Sequence, residues 1–258
     1  MRIGMPAGCL PIPPSPGGRL RLFCFHHAGG AASAFSAWPA GLAELAPGID
    51  VLPVQLPGRE SRRREPVPDD FDALVTALDA DLAEHMRAPY ALYGHSLGGS
   101  VAYRLALRRA ARGACAPVAL LVGACPPPHL RSSLQAADLA GQDALVSAMR
   151  EIGGLSAEVL RYPQWLRAAT DLLRADLRMM TAERRQDEAM LTVPLHLFHG
   201  TGDPLVSERQ LIAWDCYTTA ECVLHRVEGG HFFVREPGAE FLRTVADVLS
   251  PLSDVDIR

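Results

Sequence analysis

The stretch Gly94-His95-Ser96-Leu97-Gly98 follows the apolar run Ala91-Leu92-Tyr93 and precedes residues 99–111, which have a helical pattern. A G-x-S-x-G sequence between a strand and a helix is typical of a nucleophile elbow, a sharp, strained turn that lifts the serine hydroxyl above the sheet. The two glycines let the strand and the helix approach closely. This stretch therefore predicts that Ser96 is a nucleophile for acyl transfer through a serine ester. The alternative is a tight turn that carries an ordinary surface serine.

Apolar, strand-like runs alternate with helical patterns along the rest of the chain. The runs predicted as strands are residues 19–25, 50–56, 90–93, 118–123, 193–198 and 222–227. The patterns predicted as helices are residues 71–82 with Asp69 or Asp70 as N-cap, 207–214 with a capping box of Ser207 and Gln210, and 241–249. Such alternation predicts an α/β fold, with a mostly parallel sheet flanked by helices and ligands at the carboxyl ends of its strands.

One segment, residues 130–190, interrupts this alternation because it contains no good strand-like run. Its apolar residues, such as Trp165 and Ala169, have helical spacing. We predict a helical lid insertion over the strand ends, within a single domain of residues 1–258. Ordinary crossover helices, longer than usual, are the alternative. Residues 1–18 are rich in proline and glycine and are predicted to be a loose N-terminal leader.

Composition excludes several functions. The 258 residues are 48% hydrophobic, which allows a sizeable core, and a net charge of −4 without an evident basic face argues against a nucleic-acid partner. All 25 basic residues are arginines, and the chain has neither lysine nor asparagine. A Schiff-base lysine, a Ser-Lys dyad, a P-loop lysine and an N-glycosylation site are therefore excluded.

The cysteines and the first residues bear on the cellular compartment. The six cysteines form no C-x-x-C pair and several lie in strand-like runs, which predicts reduced, buried cysteines in a cytoplasmic protein. The chain shows no targeting signal and no apolar run of about 18 residues, so no membrane-spanning segment is expected. The histidines lack H-E-x-x-H or similar spacing, so no metal site is expected.

A serine hydroxyl needs a positioned base, which an acid orients, and in folds with this elbow both follow the serine along the chain. Asp203 comes just after the fifth strand-like run, in a turn with two glycines and a proline, and His231 comes after the sixth. We therefore predict a catalytic triad of Ser96, Asp203 and His231. The alternatives are a turn-ending aspartate and a structural histidine. The other histidines near strands are predicted to have no catalytic role: His95, with its side chain directed away from the elbow, His196, His199 and His225.

The reaction also requires an oxyanion hole, and each missing donor costs on the order of 10²–10³ in rate. The elbow supplies one predicted donor, the backbone N–H of Leu97. A loop after an early strand should supply the second, and His27-Ala28-Gly29-Gly30 has the small residues that let a substrate approach the backbone. We predict the Ala28 N–H as this donor. A phosphate-binding turn and a plain glycine-rich connector are the alternatives.

With these motifs the chain resembles the type II thioesterases that are associated with polyketide and nonribosomal peptide synthases. The matching stretches cover nearly the whole chain: Phe25-His26-His27-Ala28-Gly29-Gly30, Gln55-Leu56-Pro57-Gly58-Arg59-Glu60, Gly94-His95-Ser96-Leu97-Gly98-Gly99, Leu173-Arg174-Ala175-Asp176, Gly202-Asp203-Pro204-Leu205-Val206 and Gly229-Gly230-His231-Phe232-Phe233. The elbow is generic to α/β-hydrolases, whereas the A-G-G, Q-L-P-G-R and G-G-H-F-F stretches are much more specific to this family. One departure is His26, where the family usually has proline.

The resemblance implies an α/β-hydrolase fold with a mobile helical lid over the acyl chamber, and a triad of Ser96, Asp203 and His231. It implies a free-standing enzyme of polyketide, nonribosomal peptide or antibiotic biosynthesis that removes unwanted acyl groups from acyl or peptidyl carrier proteins. No cofactor is implied besides the phosphopantetheine of the substrate, and we expect a cytoplasmic monomer with no nucleic-acid or membrane partner. The run Arg62-Arg63-Arg64 is a candidate contact for an acidic carrier protein, although a solvated loop is the favoured interpretation.

Two other classes of function stay open. The same triad suits a small-molecule carboxylesterase or an acyltransferase, and a transferase differs from a hydrolase in excluding water from the acyl-enzyme. A non-catalytic hydrolase-fold binding protein is the remaining possibility, and the intact triad argues against it.

Overall fold

The architecture is a six-stranded sheet in which every pair of neighbouring strands is parallel. A computed structural model describes residues 8–130, 141–182 and 190–253. The strands are β1 (Leu20–Phe25), β2 (Ile49–Val54), β3 (Tyr90–His95), β4 (Leu120–Gly123), β5 (Leu195–Gly200) and β6 (Cys222–Val227). Their order in the sheet is β2-β1-β3-β4-β5-β6. The predicted mostly parallel α/β fold is confirmed, and each strand lies at a run predicted to be one.

The helices fall between and after these strands. In the described parts of the chain they are α1 (Trp38–Leu45), α2 (Phe71–Leu82), α3 (Leu97–Ala111), α4 (Gln142–Glu151), α5 (Ala157–Arg161), α6 (Pro163–Ala182), α7 (Glu208–Ile212) and α8 (Ala239–Leu249). Asp70, not Asp69, caps α2, because its carboxylate accepts the Ala73 N–H at 2.8 Å. The predicted capping box of Ser207 and Gln210 opens α7.

Helix α1, between β1 and β2, is not among the helices that the sequence analysis predicts. It is eight residues long and contains a proline and a glycine. Only Trp38 and Leu42 are buried in it, so its apolar periodicity is too short to be recognised in the sequence.

Helices cover both faces of the sheet. In β1, Phe23 and Phe25 pack in the core that also contains residues of α2 and α3, whereas Leu22 and Cys24 pack in the core formed with α1 and α8. Successive side chains of a strand point to opposite faces, so a strand that is covered on both faces is apolar throughout. This double burial is the reason that continuous apolar runs predict these strands.

The described part of the predicted lid, residues 141–182, consists of α4, α5 and α6 and contains no strand. Leu173 of α6 lies against Gly29 in the loop after β1, and Phe232 in the loop after β6 lies beside Gly154. These helices are therefore next to loops at the carboxyl edge of the sheet. The rest of the predicted lid between 130 and 190, namely 131–140 and 183–189, lies outside the described residues.

The described part of the predicted leader, residues 8–18, forms no helix or strand but is attached to β2 and the loop after it. Cys9 is buried, and its carbonyl accepts the Gln55 N–H at 2.7 Å. The Ser15 N–H donates to the Asp50 carboxylate, also at 2.7 Å. These bonds attach the segment to the domain, and residues 1–7 of the predicted leader lie outside the described chain.

All six cysteines are free thiols, but the expectation that they are buried is wrong for part of the set. Cys216 is exposed, and Cys115 and Cys222 are partly exposed. Among the helices that the structure describes, none combines the length and the apolar character needed to cross a membrane.

Candidate active site

Ser96 lies in a strained turn between β3 and α3. Its φ of 54° and ψ of −117° fall in a region that residues with a side chain rarely adopt. A Cβ added at Gly94 would collide with the backbone of Gly98, and one added at Gly98 would collide with the Phe25 carbonyl. Ser96 is partly exposed, whereas the other residues of 90–99 are buried. This is the geometry expected of a nucleophile elbow.

The Asp203 side chain is fully buried in the turn after β5, and three hydrogen bonds orient its carboxylate. Its Oδ1 accepts the N–H groups of Leu205 and Val206 at 2.8 and 3.2 Å, and its Oδ2 accepts Nδ1–H of His231 at 2.8 Å. Burial raises the pKa of this carboxyl, but the hydrogen bond and charge of His231 and the two backbone donors outweigh it, so the pKa is lowered. Asp203 is therefore ionised and directed at His231.

His231 is held in one ring orientation in the loop after β6, with 2% of its surface exposed. The bond to Asp203 assigns the ring proton to Nδ1 and leaves Nε2 as the nitrogen with a free lone pair. The Gly202 N–H donates to the Gly229 carbonyl at 2.8 Å, which joins the loop of the acid to the loop of the base. In this tautomer His231 is suited to act as a general base through Nε2.

His95, directly before the serine, supports the backbone of His231. Its Nε2–H donates to the His231 carbonyl at 2.7 Å, and its Nδ1 accepts the Tyr93 hydroxyl at 3.1 Å. Burial, followed by the charge of His231, lowers the pKa of His95 to about 3, so the ring stays neutral. This contact joins the elbow to the loop of the base, and the sequence analysis does not predict it.

The Ser96 hydroxyl and the His231 ring make no hydrogen bond with each other among the described residues. Catalytic hydrogen bonds are often long in structures without substrate and tighten when substrate binds. The structure brings Asp203 and His231 into direct contact, and His95, the residue before Ser96, contacts the His231 backbone.

The predicted oxyanion loop is ordered by hydrogen bonds to one carbonyl group. The Gly30 N–H and the His26 Nδ1–H both donate to the His27 carbonyl, at 3.0 and 2.9 Å. Because a trans peptide is planar, fixing this carbonyl also fixes the direction of the Ala28 N–H across the same peptide bond. The N–H that the sequence analysis selects is thus held in a defined direction.

This loop is also in contact with the elbow. Gly98 lies so close to the carbonyl groups of Phe25 and His26 that no Cβ fits between them. Ala28 is buried, and Leu97 immediately precedes Gly98. The two predicted oxyanion donors, the N–H groups of Ala28 and Leu97, therefore lie in two segments that touch.

Three further side chains hold the oxyanion loop, and the sequence analysis assigns none of them to the site. Asp176 Oδ2 accepts the Gly29 N–H at 2.8 Å, and Arg59 donates to both Asp176 oxygens at 2.8 and 2.9 Å. Arg235 donates from Nε to His27 Nε2 at 3.2 Å. Arg59 and Asp176 could have been found in the sequence, because they end the family-like stretches Q-L-P-G-R and L-R-A-D. Arg235 has no sequence signal.

The arginine run has mainly internal contacts at its first residue. The Arg62 guanidinium donates to both Glu65 carboxylate oxygens, at 2.9 and 2.6 Å, and to the Gln55 carbonyl at 3.0 Å. Arg63 and Arg64 are exposed. Arg63 and Arg64 therefore face solvent, whereas Arg62 is bonded within the loop to which it belongs.

The hydrogen bonds of His196, His199 and His225 go to groups other than the predicted triad side chains. His196 and His225 are half-buried on β5 and β6 and face each other with 3.1 Å between Nδ1 and Nε2. His199 is buried and donates from Nε2 to the Val206 carbonyl at 3.1 Å. No group of three or more metal-ligating side chains is found within residues 8–130, 141–182 and 190–253.

Comparison with known proteins gives a consistent set of matches. The model of the thioesterase domain family matches residues 20–249. The probable cadicidin biosynthesis thioesterase of Streptomyces griseus is 31% identical over 92% of this chain, and the match spans 64% of that protein, just under two thirds of its length. The structure of RedJ, a thioesterase from the prodiginine pathway of Streptomyces coelicolor, is 32% identical, with a TM-score of 0.83 over 98% of this chain and 96% of that one. The type II thioesterase BorB from the borrelidin biosynthetic cluster is 31% identical, with a TM-score of 0.79 over 95% and 96% of the two chains.

Proposed function

The chain belongs to the thioesterase domain family, and from this premise we propose that it is a type II thioesterase that hydrolyses acyl thioesters on the phosphopantetheine arm of carrier proteins. The family and the likeness to solved thioesterases identify a hydrolase with the α/β-hydrolase fold. The relatives are named for the biosynthesis of cadicidin, prodiginine and borrelidin. These names support a carrier protein of a polyketide or nonribosomal peptide synthase as the partner.

The observation that carries the proposal is the Asp203–His231 pair beside the strained elbow of Ser96. The acid and the base are 2.8 Å apart and almost fully buried, whereas the serine is partly exposed. A nucleophile that substrate can reach, next to an oriented base, is the arrangement that acyl transfer through serine requires.

In the proposed acylation step, Ser96 Oγ attacks the thioester carbonyl while His231 Nε2 takes the hydroxyl proton. Asp203 stays ionised and stabilises the imidazolium that forms. The N–H groups of Ala28 and Leu97 receive the developing oxyanion. The C–S bond then breaks, His231 returns the proton to the departing thiol, and the acyl group remains on Ser96 as an ester.

Deacylation repeats the same proton transfers with water as the nucleophile. Water attacks the ester carbonyl while His231 Nε2 takes one of its protons. The proton passes to Ser96 Oγ when the C–O bond of the ester breaks. The free acid and the original enzyme result, so the cycle needs no cofactor beyond the phosphopantetheine of the substrate.

The proposed setting follows from the same premise. Helices α4 to α6 act as a lid, which is supported by their contacts with the loops after β1 and β6. The cytoplasm is the proposed compartment, supported by six free cysteines. We propose a monomer that engages an acyl or peptidyl carrier protein and neither nucleic acid nor membrane.

The test compares carrier-bound thioesters with simple oxygen esters. Wild type, Ser96→Ala and Ser100→Ala are incubated with acetyl- and hexanoyl-loaded acyl carrier protein and with p-nitrophenyl hexanoate. We expect wild type to release acyl groups from the carrier protein and Ser96→Ala to lose at least about 10³ of that rate. Ser100 is the matched control, since it is one turn along α3 and its hydroxyl is paired with Cys125 Sγ, at 3.6 Å.

Each contrary outcome identifies another function. Fast ester cleavage with untouched carrier protein would indicate a small-molecule carboxylesterase. Acyl transfer to an added alcohol or amine in preference to water would indicate an acyltransferase. The absence of turnover, together with no labelling of Ser96 by a fluorophosphonate, would indicate a non-catalytic binding protein.

A further inference from the structure

The Asp176 carboxylate is a buried anion whose partners lie in two other segments of the chain. It belongs to α6, and its side chain is fully buried, as is nearly all of the Arg59 side chain. Arg59 donates from both terminal nitrogens to the two carboxylate oxygens, at 2.8 and 2.9 Å. A bidentate pair of this kind fixes both groups geometrically and neutralises the charge of each.

The pair has a further partner, and that partner is the oxyanion loop. Asp176 Oδ2 accepts the Gly29 N–H at 2.8 Å, and the carbonyl of the same peptide, that of Ala28, accepts His27 Nδ1–H at 3.0 Å. The Ala28–Gly29 peptide is therefore held at both ends. Gly29 has a φ of +69°, a left-handed conformation that glycine adopts without strain, and these two bonds restrict its conformational freedom.

The Q-L-P-G-R stretch also contacts the residue that directly follows the loop. The Gln55 side-chain oxygen accepts the Ala32 N–H at 3.2 Å. Gln55 thus contacts the residue after the loop, Ala32, and Arg59 contacts the loop through Asp176. The catalytic steps derived above leave this stretch and the L-R-A-D stretch without a role, and the contacts supply one.

The other side of the loop is also tied to the helical segment. Arg235 donates from Nε to His27 Nε2 at 3.2 Å and from its terminal nitrogens to the carbonyls of Gly153 and Gly154, which follow α4, at 3.4 and 3.2 Å. Since Arg235 occupies Nε2, the His27 proton is on Nδ1, where it reaches the Ala28 carbonyl. Both ends of the His27-Ala28-Gly29 segment are thus tied to residues 141–182. Asp176 of α6 holds Gly29, and Arg235, which is bonded to the two glycines after α4, holds His27.

We propose that Asp176, neutralised by Arg59, is the positioning residue of the oxyanion hole, so that seating of helix α6 on the loop sets the direction of the Ala28 N–H. This inference rests on the proposed function. Asp176 acts through the Gly29 N–H and touches neither substrate nor the reacting atoms. A carboxylate displaced from Gly29 leaves the Ala28 donor in place but misdirected, which weakens binding of the tetrahedral intermediate and not binding of the substrate.

The test uses Asp176→Asn, with Asp79→Asn as the matched control. Asp79 is also buried and accepts bonds from Arg108 and Arg109 at 3.2 and 3.0 Å, but it belongs to α2 and has no contact with the loop. Substrates are hexanoyl-loaded carrier protein and hexanoyl-pantetheine, at a temperature where thermal unfolding shows both variants folded. The transition-state probe is a trifluoromethyl ketone analogue of hexanoyl-pantetheine, whose adduct with serine carries an oxyanion.

We expect Asp176→Asn to lower kcat by about 10–100-fold, less than the loss of a whole donor, with KM changed less than about threefold. The affinity for the ketone should fall in the same proportion. Asp79→Asn should lose thermal stability with kcat within about twofold of wild type. Asp176→Glu keeps the negative charge opposite Arg59 but moves the carboxylate by one methylene. It therefore tests the position of the carboxylate apart from its charge, and it should lower kcat as well.

Two results overturn the inference. The first is an active wild type for which Asp176→Asn and Asp176→Glu leave kcat and ketone affinity unchanged. The second is an equal loss of kcat in Asp79→Asn, which would mean that any buried ion pair has this effect. Failure of the proposed function looks different, because wild type itself would then cleave neither thioester and would not be labelled at Ser96.

Discussion

The two oxygens of the Asp203 carboxylate have different partners, and this difference predicts the effect of an amide. Oδ1 accepts the N–H groups of Leu205 and Val206, and Oδ2 accepts Nδ1–H of His231. In Asp203→Asn the two backbone donors hold the amide oxygen, so the amide NH₂ faces His231. The His231 ring must then present a lone pair at Nδ1 and carry its proton on Nε2, where it cannot act as a base.

We therefore expect Asp203→Asn to fold normally and to lose about 10⁴ in kcat through the wrong tautomer. The measurement is the steady-state rate on hexanoyl-loaded carrier protein, with circular dichroism as the check on folding. Asp215→Asn is the control, since Asp215 is exposed, and it should keep full activity. An Asp203→Asn enzyme with more than about a tenth of the wild-type rate would assign the acid to another residue.

At the scale of elements, the approach of α3 to β1 brings the elbow and the oxyanion loop together. Gly98, in the first turn of α3, would meet the Phe25 and His26 carbonyls if it carried a Cβ. These are backbone atoms, which cannot swing aside as a flexible side chain does. In Gly98→Ala the helix must move away from the loop, which separates the N–H of Leu97 from that of Ala28.

The expected cost of Gly98→Ala is about 1–3 kcal/mol in the free energy of unfolding. Loss of one oxyanion donor should lower kcat by on the order of 10² as well. Urea denaturation and carrier-protein kinetics measure the two effects. Gly17→Ala is the control, because no atom lies within 4 Å of a Cβ built there. Equal stability and activity of the two variants would contradict the close approach.

The elements themselves differ in how well the sequence predicts them. Strands β1 to β5 are buried along most of their length and form mainly apolar runs, which locate them to within two residues at either end. The edge strand β6 is mostly half-buried, but its run is located as well. Helix α1 has only two buried residues and no cap hydrogen bond from a side chain, so nothing local distinguishes it from a loop. Local pattern predicts an element only when its burial is periodic over several turns.

At the scale of the whole molecule, buried histidines, His26 and His95 among them, link stability to pH. Burial, with a contribution from the nearby charge of Arg59, lowers the pKa of His26 to about 3, and burial with the charge of His231 does the same for His95. In the unfolded chain the pKa of each is near 6.5. Between these values the unfolded state binds more protons than the folded state, so stability is lost as pH falls.

Each group should lower the free energy of unfolding by about 1.4 kcal/mol per pH unit below 6.5, hence roughly 4 kcal/mol for the pair at pH 5. Urea denaturation at pH 7.5 and pH 5.0 measures this loss. His26→Pro should lose about 2 kcal/mol less than wild type over this interval, because His95 and the other histidines of lowered pKa, His27 and His196, still contribute. A loss that is equal in His26→Pro and wild type would mean that His26 does not titrate in this way.

The sequence by itself determined the sheet and the elbow, and it located the proposed acid and base, because each depends on neighbouring residues. Ser96 is recognised from glycines two positions away, and Asp203 and His231 from the strands just before them. Only the tertiary structure decided what orders the oxyanion loop. Arg59 lies 117 residues from Asp176, and Gly29 lies 147 residues from it. Contacts over such separations arise when whole elements pack, so no local pattern in the sequence specifies them.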